Sequence, residues 1–380
     1  MMRIIEGGKM KKFIFPVIVL LSIPIASFGF RLGGCSAPFL TIGGGTRALA
    51  LGGAYSAFAE GVEAIYWNPA GIAKLRGIGA DFVYANLFPG SGISVNNLAI
   101  TIPAGDGTIG VSTTSLLSGE MLYQPDIVET SLPVYFSANS FAVGISYARR
   151  MTDKFNAGMT FKVINQYAYN TSVSAPGWAC DVGGTYNTKV NTLKLGFEGA
   201  SINFSDLRFG FMIQNFGPDI AFSGERLRFY YTYDDASQSS DLAAMWLPTK
   251  DPLPLSFQFG IAVNTLNTKD YRVTLMSDLV NVLDQPTTFG FGIEAGMSDK
   301  YFIRVGYTGK NNIWDGNSQT GDATIGNLMG RAIERFNEGY TAGFGIVNKF
   351  AGTKDITVDY TYQSHKYLHG IHRIGLGFSL

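Results

Sequence analysis

The sequence predicts an all-β fold: a transmembrane antiparallel β-barrel of about fourteen strands, with a small helical plug from the N-terminal end in its lumen. Three observations predict it. After Lys74, apolar residues alternate with small or polar ones in stretch after stretch, as strands do when one face meets lipid and the other a lumen. The connections between those stretches alternate between short and long, as the two ends of an outer-membrane barrel require. The preceding stretch, Gly43 to Ala73, is rich in Gly and Ala and lacks a long apolar run. A spanning helix needs about 20 such residues, so this stretch must be enclosed by something else.

Composition agrees. The 380 residues include 47 glycines, 19 tyrosines and 28 phenylalanines, and 15% are charged, against about 25% in soluble globular domains. The formal net charge is zero and no basic stripe is interleaved with aromatics, so there is no electrostatic case for nucleic acid.

The first element, residues 1–29, reads as a signal peptide that starts at Met10. Lys11 and Lys12 precede the apolar run Phe13 to Ile25, and Ser27-Phe28-Gly29 supplies small residues for cleavage after Gly29. A competing reading takes Leu32-Gly33-Gly34-Cys35 as a lipoprotein box with Cys35 lipidated; the charge of Arg31 speaks against it. Cys35 and Cys180 are the only cysteines, too few for a disulfide framework. Cys180 falls on the apolar face of a strand.

The second element, residues 30–76, is the plug. Ala48 to Ala59 is predicted helical, weakened at Gly52-Gly53, where glycine also permits close backbone approach. Asn68-Pro69 is predicted to fix a turn, because proline sets its own φ and drives the preceding residue out of the right-handed helical region. The phrase APFLTIGGGTRALALGGAYSAFAEGVEAIYWNPAG, Ala37 to Gly71, resembles the N-terminal signature of the PorV/PorQ-type outer-membrane proteins, relatives of the FadL long-chain fatty-acid transporters. Where that family carries paired acidic residues, this chain has Glu60-Gly61. The resemblance implies a fourteen-stranded barrel in a Gram-negative-type envelope with its NPA-containing segment inside as a hatch. It also implies that Arg47, Gly52, Gly53, Asn68, Pro69, Ala70 and Gly71 form the gate.

The third element, residues 77–380, is the barrel. Strands are predicted to begin near Gly77, Asn96, Gly107, Ser140, Phe155, Gly177, Asp206, Leu255, Tyr271, Thr287, Tyr301, Gly339, Asp355 and Gly370. In the first, Ile78, Ala80, Phe82 and Tyr84 alternate with Gly79, Asp81, Val83 and Ala85. The series Phe141, Val143, Ile145, Tyr147 and Phe257, Phe259, Ile261, Val263 repeat the pattern. If the first strand runs outward, 104–107, 149–154, 265–270, 298–300 and 350–354 are short periplasmic turns, and 116–139, 217–254 and 310–338 are long outer loops. The connection 187–205 breaks this rule and is read as an inserted hairpin. The chain ends on alternating Ile374, Leu376, Phe378 and Leu380, the form of a terminal strand that barrel-assembly machinery recognises.

Ten charged residues fall opposite the apolar faces of their strands: Asp81, Lys162, Asp181, Arg208, Arg272, Asp278, Glu294, Arg304, Asp359 and Arg373. An Arg or Lys at the lipid midplane costs about 2–4 kcal/mol, so these side chains are predicted to line the lumen and pair with one another and with Arg47 or Glu63. The outer loops carry Leu122, Tyr123, Tyr135, Phe136, Met245, Trp246 and Leu247, apolar residues that mark a candidate binding surface. His365, His369 and His372 are the only histidines. Without a GxSxG, HExxH or paired-cysteine motif, no enzyme activity, metal or cofactor is expected.

By resemblance to FadL, the expected function is passive uptake or binding of a hydrophobic, fatty-acid-like small molecule through a hatch-gated lumen. The alternative, by resemblance to PorV, is a protein-binding barrel that holds secreted cargo for a type IX-like secretion apparatus. Outer-membrane lipids surround the barrel in either case.

Overall fold

The computed structural model describes residues 34–123, 134–169, 172–189, 194–197, 200–203, 206–235, 238–268, 270–310, 339–350, 354–365 and 370–380. The predicted signal peptide, most of the loop 310–338, and His369 lie outside them.

Fourteen strands close into one antiparallel barrel. They are β1 (Gly79–Asn86), β2 (Ser94–Ala104), β3 (Gly107–Leu117), β4 (Asn139–Arg150), β5 (Phe155–Ala168), β6 (Val173–Lys189) and β7 (Asp206–Phe216). The second half comprises β8 (Ser256–Asn267), β9 (Tyr271–Val282), β10 (Thr288–Met297), β11 (Tyr301–Lys310), β12 (Tyr340–Phe350), β13 (Lys354–Gln363) and β14 (Ile371–Ser379). The last strand pairs back onto the first, Gly79 opposite Ser379 and Asn86 opposite His372, so the sheet has no free edge. Each predicted strand start matches an observed one to within a few residues. The largest difference is at β6, whose pairing with β5 extends back to Val173.

The two faces differ as the alternation requires. Phe82, Ile145, Phe257 and Leu376 point outward and are exposed, whereas their neighbours on the inner face, such as Val83, Ser146, Gln258 and Arg373, are buried. Apolar side chains can face outward in this way only if lipid covers them.

Connections segregate to two ends. The turn end carries the start of β1, the end of β14 and the short turns; at one of these, the three-residue turn 298–300, Ser298 and Asp299 both take positive φ, the left-handed backbone by which a tight hairpin follows the twist of its strands. The long connection there, 190–205, contains the ribbon Lys194–Phe197 paired with Ala200–Asn203. The loop end carries two further ribbons, Met121–Tyr123 with Val134–Phe136 and Arg228–Asp235 with Gln238–Met245.

The core of the molecule lies inside the tube. Leu49, Leu51, Tyr55, Phe58, Ile65, Trp67 and Ile72 of the leading segment are buried together with Ala99, Ala148, Ala262 and Met276 of the wall. The leading segment enters at the loop end, where Ser36 N donates to Pro252 O (2.9 Å), and leaves at the turn end into β1. It folds as short helical pieces, Pro38–Thr41, Arg47–Ala50, Ala64–Trp67 and Pro69–Lys74. The predicted helix Ala48 to Ala59 therefore stops at Ala50. Gly52 and Gly53 adopt φ of 65° and 74°, which ends a right-handed helix.

Candidate functional site

The plug is built from small residues because the wall approaches it closely all the way round. A Cβ on Gly158 of β5 would lie 2.5 Å from Pro69 C, and one on Gly306 of β11 would lie 2.1 Å from Gly52 N. Only glycine at these wall positions leaves room for the plug backbone. Lumen-facing threonines then satisfy that backbone. Thr341 Oγ1 accepts from Gly52 N (3.1 Å) and donates to Ala50 O (2.9 Å), while Thr308 and Thr361 donate to Gly52 O (2.8 Å) and Thr46 O (2.7 Å). Burying unpaired peptide groups would be costly; here the barrel supplies the partners.

On the β9–β13 side the attachment is ionic. Arg47 donates through Nε and Nη2 to the two carboxylate oxygens of Glu294, each at 2.7 Å. Glu294 also accepts from Arg304 Nε (2.8 Å), and Arg304 reaches on to Asp359. Glu294 and Arg304 are 1% and 3% exposed, so this is a desolvated chain of alternating charge whose bidentate geometry fits guanidinium to carboxylate. Burial alone would lower the Arg47 pKa, but Glu294 outweighs it and holds the guanidinium charged. Arg47 N also donates to Glu63 Oε2 (3.2 Å). Burial, opposed by Arg47 and reinforced by Asp359, pushes the Glu63 carboxyl up to about 7. Burial would likewise raise Glu60, yet Arg208, at 2.5 Å, together with Arg47 and Lys74 holds it below the ordinary range. Phe58 lies between the guanidinium groups of Arg47 (4.8 Å) and Arg208 (5.0 Å).

On the β5–β7 side, apart from the Glu60–Arg208 pair, the attachment is uncharged. Asn68 is fully buried; its Nδ2 donates to Ser56 O (2.9 Å) and Gly184 O (3.1 Å), and its Oδ1 accepts from Ala70 N (3.2 Å). The backbone at Asn68 is extended, φ −156° and ψ 103°, and Pro69 opens the following 3-10 turn, as an Asn-Pro corner should. Asp278 of β9 accepts from Tyr55 N (3.2 Å) and Ser56 N (2.8 Å), fixing the turn between the two sides.

Cavities flank the plug toward both ends. Toward the loop end is a chamber of about 220 Å³, lined by Leu49, Tyr66, Trp67, Val280 and Val282 and by the amides of Gln214, Asn215, Gln258, Gln285 and Gln363. Toward the turn end is a vestibule of about 680 Å³, lined by Arg47, Glu60, Glu63, Lys74, Arg76, Asp81, Asp355 and Asp359.

The ten strand charges singled out in the sequence are all buried or half-buried. Glu294, Arg304, Asp359 and the more distant Arg272 (3.7 Å from Glu294) gather about Arg47. Lys162 pairs with Asp181 (2.9 Å) at the bulge made by Asn215, Arg208 with Glu60, and Asp278 with plug amides. Asp81 faces the vestibule, and Arg373 donates to Gln363 Oε1 (2.7 Å).

The loop residues are placed elsewhere. Leu122 and Tyr135 sit opposite each other on one ribbon, between Tyr123 and Phe136. Met245, Trp246 and Leu247 end the other, with Trp246 67% and Leu247 81% exposed; Leu122, Tyr135, Phe136, Met245, Trp246 and Leu247 do not line the chamber described above. Cys35 is half-buried at the loop end, its thiol against Leu253 O (3.7 Å), and burial with Asp284 nearby pushes its pKa up to about 12. Cys35 and Cys180 are both free thiols. The chamber glutamines and the wall threonines were not singled out by the sequence; an isolated Gln or Thr on an inner face carries no signal until the register brings it to the plug.

Fold and site together define a closed fourteen-stranded barrel whose lumen is filled by its own leading segment. Solved structures with the same architecture include the Pseudomonas putida toluene transporter TodX: 13% identity, covering 89% of this chain and 97% of TodX, TM-score 0.51. They also include the Ralstonia pickettii toluene transporter TbuX: 13% identity, 89% and 98% covered, TM-score 0.51. A TodX deltaS2S3 mutant, described as a monoaromatic hydrocarbon channel, aligns at 12% identity over 89% of this chain and 98% of its own, TM-score 0.53. At such identities the likeness is one of fold. No protein-family model and no curated protein matches the sequence, and the comparisons add nothing to the PorV/PorQ side of the resemblance.

Proposed function

We propose that the protein is an outer-membrane channel for passive entry of hydrophobic small molecules, gated by movement of its plug, and not an enzyme. The observation that carries this reading is the division of the lumen: a partly apolar chamber at the loop end and a charged vestibule at the turn end, separated only by residues 43–75. The fold shared with toluene transporters supports it. A ligand enters the chamber from the loop end, and passes when the plug swings away from β9–β13 about the close-packed Asn68–Ala70 corner, with Arg47 as the latch. The hatch residues Arg47, Gly52, Gly53, Asn68, Pro69, Ala70 and Gly71 all belong to this moving unit or to its pivot.

The test is flux of a small uncharged probe into liposomes holding the purified barrel. Glu294→Gln is expected to raise the flux by releasing Arg47; equal flux in both proteins rejects plug gating. A second reading, a PorV-like barrel that grips secreted protein cargo, is favoured by one feature, the exposed apolar run Met245-Trp246-Leu247 on its ribbon. It predicts that Trp246→Ala abolishes partner capture and leaves flux untouched.

A further inference from the structure

We propose that a groove on the outside of the barrel wall, at its loop end, binds the phosphate of a lipid headgroup in the outer leaflet through Arg226 and Arg228. The groove, about 760 Å³, is lined by Ser172, Ser174, Ser223, Glu225, Arg226 and Arg228. It is separate from the plug and from any route through the lumen.

The strand pattern sets its height on the wall. In β6 the even-numbered residues form one row, and Trp178 and Val182 in that row face outward, 45% and 51% exposed. Ser174 continues the row beyond Pro176. Ser223 stands directly opposite Ser174 in a short added pairing, and Tyr167 of β5 stands opposite it on the other side; residues paired in this way share a face. The stretch from Pro176 to Tyr186, at about 3.4 Å per residue and a tilt of about 40°, rises about 26 Å. That matches the apolar band of an outer-membrane barrel, about 25 Å tall, so Ser174 and Ser223 come just above it. Trp178 stacks on Phe161 (6.0 Å between centroids) and Tyr167 meets Phe141 edge-on (6.1 Å), forming the aromatic girdle expected where hydrocarbon gives way to headgroups. A groove that opens at this level meets headgroups first.

Its charge selects the ligand. Arg226 and Arg228 follow Ser223-Gly224 around the single turn Glu225–Leu227, and among the described residues neither guanidinium has an ion-pair partner. Glu225 is the one acid lining the groove among the described residues, against two arginines. Arg226 is steadied over the ring of Tyr169 (5.5 Å), which stacks on Phe136 (5.2 Å). At the turn end the corresponding outward arginine, Arg149, is already paired with Asp106 (2.9 Å). Guanidinium forks beside serine hydroxyls make a donor set that fits phosphate. The volume is that of a site for a drug-sized ligand, about 300–1,000 Å³, rather than for a lone ion, and the girdle directly below favours a lipid over a peptide as the carrier of the charge.

Native mass spectrometry of the full chain in detergent, titrated with dioleoyl phosphatidic acid and with dioleoylglycerol, tests this. Phosphatidic acid is expected to bind at least about tenfold more tightly than dioleoylglycerol. The double variant Arg226→Gln, Arg228→Gln should bring it down to the level of dioleoylglycerol, while Arg149→Gln should leave it unchanged. Equal binding of the two lipids, no loss in the double variant, or an equal loss in Arg149→Gln overturns the proposal. Inorganic phosphate or a decaglutamate peptide that displaces phosphatidic acid at equal concentration makes the occupant a free anion or an acidic protein segment, and overturns it too. The wild-type ranking of the two lipids decides even if the double variant does not fold.

Discussion

The two sides by which the plug meets the wall differ in their balance of charge and packing, though each has glycine contacts and each has an ion pair. Toward β9–β13 the contact is a chain of full charges, Arg47–Glu294–Arg304–Asp359. Toward β5–β7 it is mainly steric, with Asn68 wedged against Gly183 and the Pro69 backbone against Gly158, and one ion pair, Glu60–Arg208, beside that corner. A desolvated ion chain has a steep penalty for losing one member but can exchange partners or take up a proton. Backbone packed on glycine has neither freedom, because nothing on either side can rotate away. On the proposed gating, the difference puts the pivot at the Asn68–Pro69 corner and the latch at Arg47.

The largest effect should come from cutting the latch. Glu294→Gln leaves Arg47 and Arg304 buried with half their compensation, which costs about 3–5 kcal/mol for a broken buried pair. Trypsin should then cut at Arg47 and Lys74 while the barrel stays folded by its heat-shifted mobility on a gel. Protection equal to wild type would show that the charges do not hold the plug. The mainly steric side is broken differently. Gly158→Val drives a Cβ into the Pro69 and Ala70 backbone, and overpacking of this kind costs about 3 kcal/mol at the upper end of its range. Here plug and barrel are expected to fail together, seen as loss of the heat-shifted band, since the wall strand has to move.

This asymmetry was only half legible in the sequence. The strands were, because a period-two pattern with exposed Phe, Ile and Val on one face has no other stable use. The inward direction of Glu294 and Arg304 was too, because the opposite face would place them in lipid. A pairing of lumen charges with Arg47 was expected as well, but not which of the ten would make it: that depends on three strands whose register is set by hydrogen bonds between segments distant in sequence. The wall glycines read as merely small until Asn68 and Pro69 were seen against them. The apolar run Met245-Trp246-Leu247 was read as an outer-loop surface and lies exposed there, apart from the chamber; hydrophobicity at a loop marks exposure and says nothing of reach into the lumen.

Acidity sharpens the comparison, because Glu63 belongs to the charged side alone. Its carboxyl is raised in the seated plug to about 7 from an ordinary glutamate value, so the seated state binds the proton more tightly than the released one. The seated plug is therefore most stable below the ordinary glutamate range, loses stability as pH rises, and reaches its floor once pH passes about 7. The loss is on the order of 3 kcal/mol. Protease sensitivity at Arg47 should increase across that window in the wild type and stay level in Glu63→Gln. A parallel slope in both proteins would remove Glu63 from the latch.

The smallest effect, and the one that separates position from stability, is expected at the pivot. Pro69 stands at the start of the turn Pro69–Lys74 with its φ preset, and Asn68 caps that turn through Ala70 N. Alanine can take the same backbone angles, so Pro69→Ala costs only about 0.4–1 kcal/mol, chiefly through a freer unfolded chain. The cap and the bonds of Asn68 to Ser56 and Gly184 survive. What changes is that Asn68 no longer has proline to keep it out of the helical region, so the corner can bend where it was rigid. Flux of the uncharged probe should change while the melting temperature moves by no more than about 4 °C. If flux is unaltered, the corner is only a wedge, and the swing of the plug has to be sought instead at Gly52-Gly53, where both φ values are already positive.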